Sequence, residues 1–260
     1  KYGFDEISDY LYDNYETMFD FEINTNIVSE REVNFCLKNF KKKLLPIFMK
    51  YPNDGDEFDN TYLMNATYFN YTDIVKILLR IPGIDVNLVN PRNKTTAMSR
   101  AADQHSYKMI EILLNSPLFK YTYDRCQTIT PFNKAVTHGY IDEMMLFINT
   151  KKNNKNDERF ADMLNEDELK DAFFLALLRN QGESLKIIMN NFPDYPFFEN
   201  KDDINYSAEK KCWDSLLALL DILNENKEIY EKKFPDVKTQ EIINLVKSKL
   251  EDETDWQNND

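Results

Sequence analysis

The sequence predicts an all-α fold, a solenoid of stacked helix-turn-helix units. Three observations predict it. First, a Thr followed by a pair of small residues recurs: Thr61 with Ala66 and Thr67, Thr96 with Ala101 and Ala102, Thr130 with Ala135 and Val136. The Thr positions are 35 and 34 residues apart. Second, each copy is followed by another apolar helix, beginning near Ile74, Met109 and Ile141. Third, one such hairpin is too thin to bury its own apolar face, so the copies must bury one another.

The clearest unit spans residues 130–148. Thr130-Pro131 opens it, and proline fits the first helical turn, where its missing N–H costs nothing. Gly139 breaks the helix, since glycine takes the left-handed conformation of a tight turn without penalty. The chain has only five glycines, so asparagines such as Asn70 and Asn180 are expected at other left-handed positions.

Taken in order, residues 1–28 are acidic and aromatic. Ile7, Tyr10, Leu11, Tyr15 and Met18 keep helical spacing, which predicts an N-terminal capping helix. Residues 29–57 read as a degenerate first repeat, with a capping-box pattern at Ser29 and Glu32 and a kink or start at Pro46. Clear repeats occupy 58–150. The polar run 151–158 reads as an exposed loop that lengthens the next spacing, 41 residues from Ala135 to Ala176. Divergent repeats fill 160–225, the last aligned on Ala208, 32 residues after Ala176. The solenoid thus covers 29–225 with five to six repeats. Residues 226–250 supply a C-terminal capping helix, and the polar tail 251–260 is expected to be disordered.

The repeated units resemble the ankyrin repeat. The Thr-Pro-Leu-His-x-Ala core of that family reads here as Thr130, Pro131, Phe132, Asn133 and Ala135, and Gly83-Ile84-Asp85-Val86-Asn87 resembles its connector. The family's His is replaced by Met64, Ser99 and Asn133. The resemblance implies short β-hairpin or finger loops and a concave groove lined by fingers and first helices, where partner proteins bind. Before each Thr, the groove positions include Phe58, Asn60, Arg92, Asn93, Gln127 and Glu168. After the small pair they include Tyr68, Phe69, Gln104, His138 and Arg179. Tyr68-Phe69 stands out, because exposed aromatics beside an arginine suit a binding hot spot.

No catalytic or cofactor chemistry is written in the chain. No phosphate-binding glycine loop, dinucleotide fingerprint or nucleophile elbow occurs. His105 and His138 read as polar turn residues and cannot complete a metal site alone. The carboxylate-rich loop 53–60 lacks calcium-loop spacing. A net charge of −13 argues against nucleic acid and anionic membranes and suits a basic partner. No apolar run reaches membrane-spanning length. Cys36, Cys126 and Cys212 lie far apart, as reduced thiols of a cytoplasmic or other reducing compartment do. The expectation is a monomeric, non-catalytic protein-interaction scaffold needing no cofactor. The alternative is the regulatory or targeting portion of a larger protein, suggested by a first residue, Lys1, that is not Met.

Overall fold

Threonine and asparagine start four of the inner helices, and the structure shows how. In the computed structural model, which describes residues 50–56, 58–123, 130–197, 202–235 and 238–257, helix α1 (Tyr62–Tyr68) begins at Thr61, whose hydroxyl accepts the Met64 amide. Helix α3 (Ala97–Asp103) begins at Thr96 with a reciprocal capping box: Ser99 N–H donates to Thr96, and Thr96 N–H donates to Ser99 Oγ. Each such cap stabilises a helix by about 1 kcal/mol. The outer helices of this first unit are α2 (Thr72–Leu78) and α4 (Tyr107–Leu114).

The chain divides into two units, residues 1–120 and 121–260. In the first, α1 packs on α3, each inner helix packs on its own outer helix, and α2 packs on α4. Ala66, Ala101 and Ala102 are buried on the inner helices, where small side chains let the axes approach. Val75, Leu78, Met109, Ile110, Leu113 and Leu114 form the apolar stripes of the outer helices.

The second unit repeats the plan. Its inner helices are α5 (Pro131–His138), α7 (Glu166–Leu178) and α9 (Asp202–Glu209); its outer helices are α6 (Ile141–Asn153), α8 (Gly182–Asn191) and α10 (Trp213–Glu225). Thr130 and Asn165 cap α5 and α7, and Pro131 occupies the first turn of α5 as expected. The run expected to be a loop after Thr150 instead extends α6 to Asn153, before a 3-10 turn at Glu158–Phe160. Two further helices follow, α11 (Lys227–Lys233) and α12 (Thr239–Gln257), with α12 lying against α9, α10 and α11. The boundary expected at residue 250 falls inside α12. The expected N-terminal helix and almost all of the degenerate first repeat lie outside the described residues, as do Cys36 and Cys126.

One backbone device sets the register. The turn from inner to outer helix always carries a residue with positive φ: Asn70 (58°), His105 (50°), Gly139 (70°), Asn180 (56°) and Lys211 (58°). Asn70, Gly139 and Asn180 are the positions anticipated from sequence. Counting back four residues reaches Ala66, Ala101, Ala135 and Ala176, and then Ser207. Ser207 is fully buried, with its hydroxyl donating to the Asp203 carbonyl, whereas Ala208 is only half-buried. The last repeat is therefore aligned on Ser207 rather than Ala208, because a serine that satisfies its own hydroxyl within the helix packs as a small residue.

Asparagine side chains also stitch successive repeats together. Asn53 Nδ2 donates to the Gly83 carbonyl while its Oδ1 accepts the Asp85 amide. Asn87 does the same one repeat later, with the Leu118 carbonyl and the Lys120 amide. The carboxamide imitates one rung of a β-ladder. Among the described residues there is no strand, and the one β-bridge joins Gly55 and Thr61.

Candidate functional site

The finger loops are closed by side chains acting on their own backbone. The Asp56 carboxylate accepts four N–H groups, from the Phe58 and Asn60 amides and from the Asn60 and Asn65 carboxamides, at 2.9–3.2 Å. Asn90 is fully buried. Its Oδ1 accepts the Arg92 and Asn93 amides, and its Nδ2 donates to the Phe58 carbonyl and Asn60 Oδ1. These bonds occupy donors that a hairpin ladder would use, which explains why the fingers are turns. They also fill the acidic loop 53–60 with internal partners.

On this frame the first unit presents an aromatic cluster. Phe58 stands on the finger, 58% exposed, and Tyr68 ends α1, 38% exposed. Tyr68 and Phe69 meet edge to face with centroids 5.1 Å apart, and Phe69 stacks on Tyr71 at 5.9 Å. The Arg100 guanidinium lies 5.1 Å from the centre of the Tyr68 ring. Its Nη2 donates to Asn60 Oδ1 at 2.7 Å, so the cation is held in place by the finger network. A guanidinium over a tyrosine face is attracted by the ring quadrupole, by about 0.5–1 kcal/mol where water has access.

The arginine beside the aromatics is therefore Arg100. Arg92, at the fingertip, is instead paired with Asp59 at 2.5 Å. Asn93 turns back to accept from Thr95, and Gln104 is exposed at the end of α3. Arg100 immediately precedes the small residue Ala101, a position outside those read as groove-lining. No local sequence signal marks it, because its reach to Tyr68 depends on the packing of α3 against α1.

In the second unit, His138 ends α5 and stacks on Tyr140 at 5.3 Å, and Arg179 is exposed just after α7. Gln127 lies outside the described residues. Glu168 does not line a groove. It is fully buried, accepting the Tyr121 hydroxyl and the Leu164 amide. The Leu164 amide belongs to a residue at φ 53°, a strained setting for leucine that this hydrogen bond helps to hold. Burial pushes the Glu168 carboxyl above its ordinary range, more strongly than its donors draw it down. Burial, then the neighbouring Glu168, pushes the Tyr121 hydroxyl well up. Cys212, also buried, donates to the Leu178 carbonyl at 3.2 Å and is a free thiol raised by burial.

Among the described residues no group of His, Cys, Asp and Glu could hold a metal ion, and no helix is long and apolar enough to cross a membrane. What the arrangement offers is a set of rigid, exposed side chains in repeat register.

Comparison with known proteins agrees with the ankyrin-repeat resemblance. Residues 34–123 match the family model described as ankyrin repeats (3 copies). No curated protein and no solved structure matches the chain.

Proposed function

We propose that this chain, whose residues 34–123 match the ankyrin-repeat model, recognises a partner protein through the inner face of its repeats and catalyses no reaction itself. The observation that carries this reading is the cluster of Tyr68, Phe69 and Arg100. Tyrosine and arginine are the residue types most often found as binding anchors. Here both are fixed before any partner arrives, Tyr68 by its ring neighbours and Arg100 by Asn60. A fixed anchor loses little conformational entropy on binding, so more of its contact energy appears as affinity. Phe58, beside the same network, adds apolar area. The acidic balance of the whole chain favours a partner that is basic overall, since long-range charge steers encounter.

The test is affinity capture from native lysate with the chain as bait, read by mass spectrometry. The variant Tyr68→Ala/Phe69→Ala is compared with Tyr107→Ala, which removes an equally exposed aromatic from an outer helix. The expected result is a protein retained by the wild type and by Tyr107→Ala and lost by the double variant. Equal retention by all three forms would place recognition elsewhere.

A further inference from the structure

In the second unit the position before each left-handed turn residue carries His138, Arg179 or Lys210, and Lys211 is itself the last such turn residue. All four are exposed. Helix α5 packs on α7 and α7 on α9, so the ends of the three inner helices stand side by side. None of the four side chains forms an ion pair with a described residue. That is notable in residues 121–260, which carry 28 Asp+Glu against 18 Lys+Arg. Most acids of the same elements sit at the opposite ends of the helices, Glu166 and Asp167 on α7 and Asp202 and Asp203 on α9, while Glu209 ends α9 beside Lys210.

Helix capping does not account for the row. A cation near a helix C-terminus does favour the dipole. In the first unit, however, the same register position holds Phe69 and Gln104, and those helices end in the same left-handed turn. The turn therefore forms without a basic residue before it, and the basic side chains are available to a ligand. Exposed apolar surface flanks them: Tyr206 is 42% exposed with the Lys210 ammonium 5.2 Å above its ring, and Leu178 is half-buried.

We propose that this row binds an extended acidic peptide segment of a partner protein. Packed helices are about 8–10 Å apart, and one turn of an extended polyproline II chain, three residues, spans about 9 Å and returns its side chains to the same face. An acidic side chain at every third position would thus meet His138, Arg179 and the Lys210–Lys211 pair in turn. The overall negative charge does not oppose this at contact distance, because charges more than about 8 Å apart are largely screened at physiological salt. The inference rests on the reading that the inner face is the binding surface, but it concerns different residues from the aromatic cluster.

The test titrates the full chain into a rhodamine-labelled peptide of repeated Asp-Ser-Ala, followed by fluorescence anisotropy. The comparison peptides are the Asn-Ser-Ala equivalent and one with the same acids gathered in a block. Row variants Arg179→Ala and Lys210→Ala/Lys211→Ala are set beside Lys155→Ala/Lys232→Ala, which removes exposed cations off the row, and each fold is checked by circular dichroism. Combining the row substitutions should weaken the spaced peptide about tenfold, the loss of two or three exposed charge contacts. The off-row variant and Tyr68→Ala/Phe69→Ala should leave it unchanged. Persistence of peptide binding in the aromatic variant separates this proposal from the aromatic-cluster reading. Three outcomes would overturn it: equal weakening by on-row and off-row variants, no preference for spaced over blocked acids, or equal binding of a single-stranded DNA oligonucleotide. Absence of binding at about 1 mM would overturn it too.

Discussion

Phe69 and Gln104 precede the left-handed turn residues of the first unit, whereas His138, Arg179 and Lys210 precede those of the second. The backbone is the same at all five positions. Each inner helix closes on a residue with φ between 50° and 70°, and each is followed by an outer helix. The chemistry displayed is different. Residues 1–120 hold 14 Lys+Arg against 17 Asp+Glu, a net −3, while residues 121–260 hold 18 against 28, a net −10. The near-neutral unit shows an arginine over an aromatic cluster, and the acidic unit shows a row of basic side chains that form no ion pair among the described residues. A repeat scaffold fixes where side chains stand and leaves their identity free, which is how one fold can present two surfaces.

If the scaffold is common and the stitching local, lesions should damage the unit that holds them. The largest effect is expected from Asn90→Ala. It removes a buried carboxamide that serves four partners, and the loss of those bonds with stranded donors should cost about 3 kcal/mol. Chemical denaturation followed by hydrogen exchange should show the loss concentrated in residues 50–120. Uniform loss across both units would mean that they unfold as one.

Gly182→Ala should be next, at about 2 kcal/mol and in the second unit. An added methyl would sit 2.7 Å from the Asp214 carbonyl oxygen and 3.2 Å from Ala218 Cβ, so α8 and α10 would have to part. The urea midpoint reads this directly. A midpoint unchanged by the substitution would show that the approach of α8 to α10 is loose.

The smallest effect, and the one most specific to the second unit, concerns Glu168→Gln. Burial raises the Glu168 carboxyl, so in a window above its ordinary value of 4.5 the folded chain holds a proton that the unfolded chain has released. The stabilisation from that proton is complete below the ordinary value and fades as pH rises through the raised one. The wild type should therefore lose stability relative to Glu168→Gln as pH rises above about 4.5. Urea midpoints of both proteins across that range supply the comparison. Parallel pH profiles would show that Glu168 binds no extra proton on folding.

Much of this fold was legible in the chain. The Thr-to-Thr spacing gave the unit, and the scarcity of glycine pointed to Asn70 and Asn180, because few residues tolerate that backbone. His105 was read as a turn residue without its left-handed backbone, and Lys211 escaped notice because lysine does not advertise a left-handed turn. Glu168 was misplaced for a different reason. At a helix start it reads as an exposed acid, and its partner Tyr121 lies 47 residues earlier, beyond any local pattern. Ser207 shows that size rather than polarity decides a helix contact when the hydroxyl can bond within its own helix. The aromatic anchors Tyr68 and Phe69 were visible as residues, but their arginine was not, since the reach of Arg100 across to Tyr68 depends on the packing of α3 against α1.

The most direct test of the account is site-specific photocrosslinking in lysate. A photoreactive phenylalanine analogue is placed at position 68 on the inner face in one sample, and at position 107 on an outer helix in another. The account predicts a discrete crosslinked partner from position 68 and none from position 107. Adducts from 107 alone would contradict it and move recognition to the outer helices.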